Sequence, residues 1–389
     1  MLIALWCVGC ASGSRHEPPA WIVGSSPAFP HERFITGVGE GESLAVATER
    51  AYGAVAQVFH SEIRSEARDW EVYTLVDGSG HARDERRLTL DHVTSVTTRK
   101  AMTNVAVLDK WYNPDARRYS VLAGVARGPG EVAAAAQVQE LDREVAEQVT
   151  RARSATAPLE RLRALRHAVD TLMLREVGNA DVRVFRVDGQ GIASAYRIGD
   201  LATELDRAAD AVPLTLRIVG DQAEPLMQAL TQGLVQQRLT VVGRGVRTGA
   251  TGEKSAAQAA HEAGLVVTGR ALVWPIEVRD PSFRYARWCS ELVVLDPGTG
   301  QQVAAVSHGD KVAQLTPVEA AAKAVRAMQD AARTTIATEL ATAIYGVEHT
   351  EQGQRAGEAG SEHPAGSTER ASGACPQDAP AASSVPASR

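Results

Sequence analysis

The stretch from Arg33 to Glu66 constrains this chain more than any other. Its first part runs Arg33-Phe34-Ile35-Thr36-Gly37-Val38-Gly39-Glu40-Gly41 and alternates, with Phe34, Thr36 and Val38 set against Ile35 and Gly37, as a half-buried strand does. The second part places Leu44, Ala47, Thr48, Ala51, Val55, Val58 and Phe59 at helical spacing, a single apolar stripe. Ala45, Ala47, Ala51, Ala54 and Ala56 keep that helix thin enough to lie close against a sheet. Glu42 and Ser43 open it, with an acid at the positive end of the helix dipole and a capping hydroxyl at Ser43. The Gly-x-Gly between strand and helix also suggests a phosphate loop. A dinucleotide fingerprint needs a third glycine at the correct offset and an acidic residue after the next strand, and Glu40 would repel a phosphate. Close strand-to-helix packing is the better reading.

Composition bounds the rest. The chain has 389 residues, enough for two domains with extra segments. It is 44% hydrophobic but only 5% aromatic, so its cores must be filled by Ala, Val and Leu. A net charge of −6 provides no global basic field, and the expectation is no nucleic-acid partner. Nowhere does an unbroken apolar run approach the roughly 18 residues of a membrane span.

The first residues are Met-Leu-Ile-Ala-Leu-Trp-Cys-Val-Gly-Cys. Leu2 to Val8 is apolar, Gly9 is small, Cys10 follows, and a polar stretch with Pro18 and Pro19 comes after. This order resembles the end of a bacterial lipoprotein signal, in which signal peptidase II cuts before a cysteine that carries diacylglycerol. Cys7 departs from the usual Leu, and no basic residue precedes the apolar run; a true start upstream of Met1 accounts for that gap. Lipidation is therefore expected at Cys10. Of the four cysteines, Cys7 and Cys10 fall to the signal, leaving Cys289 in a strand-like run and Cys375 in the tail. Neither has a CxxC neighbour or a metal-like spacing, so the expectation is no disulfide framework, no zinc, and Cys289 as a small buried hydrophobe.

After the organising helix come strand-like runs at Trp70–Val76, Arg87–Thr98, Asn104–Trp111 and Arg118–Arg127, with Asn113-Pro114-Asp115 as a hairpin turn. Leu88 to Ala101 fits a helix as well as a bulged strand. One helix on a meandering antiparallel sheet makes an α+β sandwich. Pro19-Ala20-Trp21, the Gly37–Gly41 strand end, the Ala-rich helix ending in Ser61-Glu62-Ile63-Arg64-Ser65, and Arg117-Arg118-Tyr119-Ser120-Val121-Leu122-Ala123-Gly124-Val125-Ala126-Arg127 carry a resemblance. Together they resemble the LPP-twenty lipoprotein family over roughly residues 18–128. That family has no established catalytic residues, so the resemblance implies no active site. A similar fold occurs at the N-terminus of the flagellar assembly protein T.

Gly130 to about Val177 is strongly helical, with stripes Val138, Leu141, Val145, Val149 and Leu159, Leu162, Leu165, Val169, Leu172 separated by Pro158. This reads as an antiparallel helical hairpin, followed by a loop over Gly189–Asp200 and a short helix to Ala211. Beyond it the order is strand Leu214–Val219, helix Glu224–Gln237, strand Leu239–Arg244, helix Lys254–Ala263, strands Leu265–Glu277, Tyr285–Asp296 and Gln301–Ser307, and a long helix Val318–Tyr345. Asp296-Pro297-Gly298-Thr299-Gly300 is a tight turn. Gly269 within its strand, the Asp-x-x-Thr-Gly hairpin and the Ala-rich last helix are similar to the anticodon-binding-like domain of curli-secretion-channel lipoproteins and of the N-terminal part of TolB. From Val347 the composition is Gly, Ser, Ala, Pro and Glu, as in disordered tails.

The fold class expected is thus α+β, two helix-on-sheet domains (21–128 and 213–346) joined by a helical linker (129–212). A signal (1–9) and a lipidated tether (10–20) precede them, and a tail (347–389) follows. Gly249-Ala250-Thr251-Gly252-Glu253-Lys254-Ser255 fails as a phosphate loop because Glu253 separates the glycine from the lysine and Arg247 stands where the first glycine belongs. The ten histidines form no HxxxH or HExxH, and His92 beside Asp91 has no accompanying nucleophile. Trp21, Trp70, Trp111, Trp274 and Trp288 lie in or beside strands and suit core or interface roles better than a sugar platform. The expectation is no enzyme, no cofactor and no metal. The leading reading is a lipid-anchored envelope protein, at the periplasmic face of the outer membrane, that contacts other envelope proteins in assembly of a surface or secretion structure. It touches the membrane through the lipid on Cys10 and allows an oligomer. The alternative is a periplasmic ligand-binding lipoprotein with a pocket between the two domains.

Overall fold

The computed structural model describes residues 17–24, 26–74, 104–244, 264–278, 282–346 and Cys375; for 64–74 and 244 it describes the backbone alone. The fold is mixed helix and sheet, and the chain divides into two compact units. The first takes residues 1–78, 84–143 and 172–195, the second 79–83, 144–171 and 196–389.

In the first unit β1 (Phe34–Gly41), β2 (Ala106–Asn113) and β3 (Arg118–Ala126) form an antiparallel sheet in the order β1-β3-β2. It is not the simple meander expected, because β3 is central and β1 joins it on the side away from the β2–β3 hairpin. Asn113 Oδ1 accepts from the backbone N–H of Asp115 and Ala116, which closes the hairpin where the turn residues predict it. Across the sheet lies α1 (Leu44–Thr74), with Ser43 Oγ accepting from the Val46 N–H at its start. Ala47, Ala51, Val55 and Phe59 are fully buried, whereas Leu44 and Val58 of the expected stripe are exposed. The glycines of β1 explain how close the helix comes. A Cβ on Gly39 would stand 2.2 Å from Ala51 N and 2.3 Å from Ala47 O, and one on Gly37 would stand 2.7 Å from Val55 N. Backbone thus packs on backbone, and the Gly-x-Gly is spent on packing.

The strand expected over Trp70–Val76 is replaced by helix through Thr74, since no glycine or proline interrupts the sequence between Gly53 and Gly78. The run Arg87–Thr98 lies outside the described residues. Trp21 is buried in a short turn (Ala20–Val23), and its indole N–H donates to Asp109 Oδ2 at 2.8 Å. Asp109 pairs with Leu122, a residue on the sheet face away from α1, so Trp21 covers part of that face.

Two long helices follow, α2 (Arg127–Ser154) and α3 (Pro158–Phe185), with Pro158 at the start of α3 as predicted. The expected linker contributes to both cores. In the first unit Phe185 packs edge-on against Phe59 with ring centroids 5.3 Å apart, within the cluster that holds Ile35, Val121 and Val125. In the second, Leu162, Ala164 and Leu165 belong to the larger core.

The second unit contains α4 (Ile198–Asp210) and a five-stranded sheet in the order β5-β4-β6-β7-β8. Its strands are β4 (Leu214–Val219), β5 (Val241–Arg244), β6 (Leu265–Ile276), β7 (Arg284–Leu295) and β8 (Gln302–Gln314). β4 pairs parallel to β5 and β6, and β6-β7-β8 is antiparallel. Between β7 and β8, Asp296 Oδ1 accepts from the Gly298 N–H and Gly300 takes φ +70°, as the turn sequence predicts. Helices α5 (Ala223–Gln236), α6 (Pro317–Ala331) and α7 (Ala337–Tyr345) supply the rest of the core, the last two joined through a π-turn over Ala332–Ile336. The π-turn faces α5 at Gly233, where a Cβ would stand 2.4 Å from Arg333 O. Thr316 and Glu319 form a capping box at the start of α6. The helix predicted over Lys254–Ala263 and the loop from Gly249 lie outside the described residues.

Candidate functional site

Cys10, the one site residue the sequence proposes, lies outside the described residues, as do Cys7 and His92. The remaining cysteines overturn an expectation. Cys289 and Cys375 form a disulfide across 86 residues, with their Cα atoms 5.5 Å apart. Cys289 is buried, but as half of a cross-link rather than as a free hydrophobe. Cys375 is also buried, and its main chain is held at both ends. Its N–H donates to Glu291 Oε1 at 2.6 Å, and its carbonyl accepts from Arg270 Nη2 at 3.0 Å. Arg270 and Glu291 face each other across β6 and β7 and are themselves paired at 2.8 Å. Counting cysteines could have found the bond, because removing Cys7 and Cys10 to the signal leaves two in a chain read as exported. The polar tail composition argued against it.

A second concentration of polar groups lies in the first unit. Arg175 is fully buried on α3; its guanidinium donates to Asp142 (2.9 and 3.3 Å), Glu176 (3.0 Å) and the Ile192 carbonyl (2.7 Å). Asn179 Oδ1 accepts from the Ile192 N–H, and Arg183 donates to Glu62. This network fastens the segment after α3 to the helices. Its sequence signal is that the stripe Leu162, Leu165, Val169, Leu172 runs on, at the same spacing, into Arg175, Asn179 and Val182.

Asp181 lies on the same helix, buried, with Oδ1 lacking a hydrogen-bond partner. Burial pushes its carboxyl up to about 7. A raised folded-state value means the folded form holds the proton more tightly. Stability from Asp181 is therefore fully present below its ordinary value near 3.8 and lost as pH rises through about 7. Asp181→Asn should remove that loss. In urea titrations the variant should gain on the order of 4 kcal/mol over the native protein at pH 8 relative to pH 3.5. An equal difference between the two proteins at both pH values would show that Asp181 is charged and solvated.

The second unit has a half-open groove of about 430 Å³ lined by Arg153, Arg161, Arg207 and Glu204 with Leu165 and Ala208. Arg153 pairs with Glu204 at 3.2 Å, and Arg161 donates to the carbonyls of Ala152 and Ala155 at the end of α2. These two cations serve the fold itself. His308 meets Glu339 at 2.8 Å and stands across the β7–β8 ladder from Ser290, which is buried with its Oγ lacking a hydrogen-bond partner; His167 meets Glu144 on the helices. Among the described residues no three His, Cys, Asp or Glu side chains gather as a metal would require, and no helix is long and apolar enough to cross a membrane.

No family model matches the chain, and no curated protein matches it. Solved structures show a distant likeness. The secreted protein HP1454 of Helicobacter pylori is 9% identical over 79% of this chain and 97% of its own, with a TM-score of 0.37. The rare lipoprotein B of Shewanella oneidensis is 12% identical over 35% of this chain and 99% of its own, with a TM-score of 0.23. A minor lipoprotein of Acinetobacter baumannii is 9% identical over 35% of this chain and 94% of its own, also with a TM-score of 0.23. At these scores the likeness assigns neither a family nor a function.

Proposed function

We propose that this protein is exported, anchored by lipid on Cys10, and serves the cell envelope by binding other envelope proteins without catalysing a reaction. The observation that carries this reading is the Cys289–Cys375 disulfide. Disulfides persist in oxidising compartments and are rare in the reducing cytosol. The chain that forms this one also begins with the apolar run Leu2–Val8 followed by Gly9-Cys10. In this reading signal peptidase II cuts before Cys10, and acyl chains such as palmitate hold the protein at the periplasmic face of the outer membrane; two or more chains make such anchoring stable. The LPP-twenty resemblance over residues 18–128 and the curli-secretion and TolB resemblance over residues 213–346 support an assembly role.

The test is fractionation and cross-linking in a Gram-negative host. The protein should sit in the membrane fraction, resist added protease in intact cells, be degraded once the outer membrane is permeabilised, and cross-link to other envelope proteins. Recovery as a soluble cytosolic monomer with free thiols at Cys289 and Cys375 would overturn the proposal.

A further inference from the structure

The helices cover one face of the five-stranded sheet, and the strand register arranges the other. Ala286, Trp288, Leu292 and Val294 of β7 belong to the core under the helices, so Tyr285 and Arg287 point the opposite way. The ladders set Ile276 and Ala313 beside Tyr285, and Trp274 and Lys311 beside Arg287, as two rows across β6, β7 and β8. Past the first row the strands end, and there Val278, Phe283 and Leu315 are all exposed, Leu315 at 70%. Val318, in the first turn of α6, is a fourth exposed apolar side chain, three residues on from Leu315 in sequence. This end of the face is therefore graded. Apolar tips come outermost, then Ile276 and Tyr285, then Trp274 with Arg287 and Lys311.

We propose that this end of the sheet is a membrane-contact surface whose partner is the anionic headgroup layer of a phospholipid bilayer. The grading matches the depth profile of such a layer. Strand residues rise about 3.3 Å each, so Phe283 stands about 7 Å beyond Tyr285 and about 13 Å beyond Arg287. Interfacial segments sink their apolar parts about 5–10 Å past the headgroup boundary. Tips at that depth leave Tyr285 and Trp274 at the interface, which suits rings with an apolar body and a polar edge, and set Arg287 and Lys311 among the phosphates. Charge complementarity favours lipid over an apolar protein surface. Among the described residues no ion pair or side-chain hydrogen bond engages Arg287 or Lys311. The nearby acids do not oppose them: Glu277 and Asp310 occupy the alternate positions that point to the helix side, and Glu291 is paired with Arg270.

This contact is separate from an anchor at Cys10 and does not rest on it. Each cation near an anionic surface raises affinity about five-fold, and the apolar tips add to it in proportion to the area they bury. With two cations and a few tips, the contact is weak and reversible by itself, and salt loosens it.

The test uses the full chain with Cys7→Ser, Cys10→Ser and Leu315→Cys, unacylated and oxidised, so that position 315 alone takes an environment-sensitive dye. On vesicles of phosphatidylethanolamine with phosphatidylglycerol the dye emission should shift to the blue and escape an aqueous quencher. Vesicles of phosphatidylcholine at the same lipid concentration should leave it unchanged. Arg287→Gln with Lys311→Gln should raise the half-saturating lipid concentration about 25-fold, and Phe283→Ser about ten-fold. Leu2–Val8 is present in every chain compared, so the differences report the sheet end. Should the double variant fail to fold, salt at about 0.5 M makes the same test on the parent chain and should weaken binding at least ten-fold. A dye that stays exposed on anionic vesicles, an equal response to both vesicle types, or binding unmoved by the substitutions and by salt would overturn the proposal. So would a shift produced by solubilised envelope proteins and not by vesicles, which assigns the surface to a protein partner.

Discussion

Gly39→Val should cost the first unit a large fraction of its stability. The added Cβ would stand 2.2 Å from the nitrogen of Ala51 and 2.3 Å from the carbonyl oxygen of Ala47, both main-chain atoms of α1. Neither can turn aside as a flexible side chain would. Relief requires the helix to move off the strand, which separates Ala47, Ala51 and Val55 from Ile35, Val121 and Val125. Overpacking a core by a few atoms costs about 1–3 kcal/mol where side chains can adjust, and more where they cannot. A loss above about 3 kcal/mol is expected, a large fraction of a domain's net stability. Ala51→Glu should have a similar effect, because it buries an unpaired carboxylate at the same contact. Thermal melts of the whole chain measure both. A Gly39→Val protein that melts with the native midpoint would mean that strand and helix do not meet here.

Arg175→Ala should be nearly as damaging, by about 3–5 kcal/mol. The substitution empties a fully buried volume, strands the Ile192 carbonyl, and leaves Asp142 and Glu176 without their cation. Arg175→Met refills much of the volume without the charge, and both carboxylates are partly exposed, so water can solvate them. The methionine variant should therefore lose clearly less than the alanine variant. Urea unfolding of the two variants side by side is the measurement. Equal losses would assign the whole effect to charge and none to packing.

These two sites differ in how far the sequence discloses them. Gly37 and Gly39, opposite an alanine-lined helix, signal close approach through their small size alone, and the phosphate reading fails on Glu40. The turns at Asn113 and Asp296 and the start of α3 at Pro158 are legible for the same reason, since local chemistry decides them. Arg175 is legible only faintly, as a charged residue continuing an apolar stripe. Its partners Asp142 and Ile192 are distant in sequence, and no local pattern pairs them. The extension of α1 past Trp70 was hidden by Trp70, Val72, Tyr73 and Thr74, residues that favour strands but continue a helix that nothing interrupts. The hold on Cys375 depends on the register of β6 against β7, which brings Arg270 opposite Glu291, and on a cysteine 84 residues beyond Glu291. Composition discloses neither. The sharing of α2 and α3 between two cores is likewise a long-range matter, decided by where Phe185 and Leu162 find partners.

The central claim is that Cys10 carries the lipid that holds this protein to the envelope, and metabolic labelling with an alkyne-bearing fatty acid tests it most directly. Produced behind a complete lipoprotein signal that ends at Cys10, the protein should take up the label and lose it on Cys10→Ser, while Cys7→Ser keeps it. Label that survives Cys10→Ser, or no label on a protein that is exported and disulfide-bonded, would contradict it.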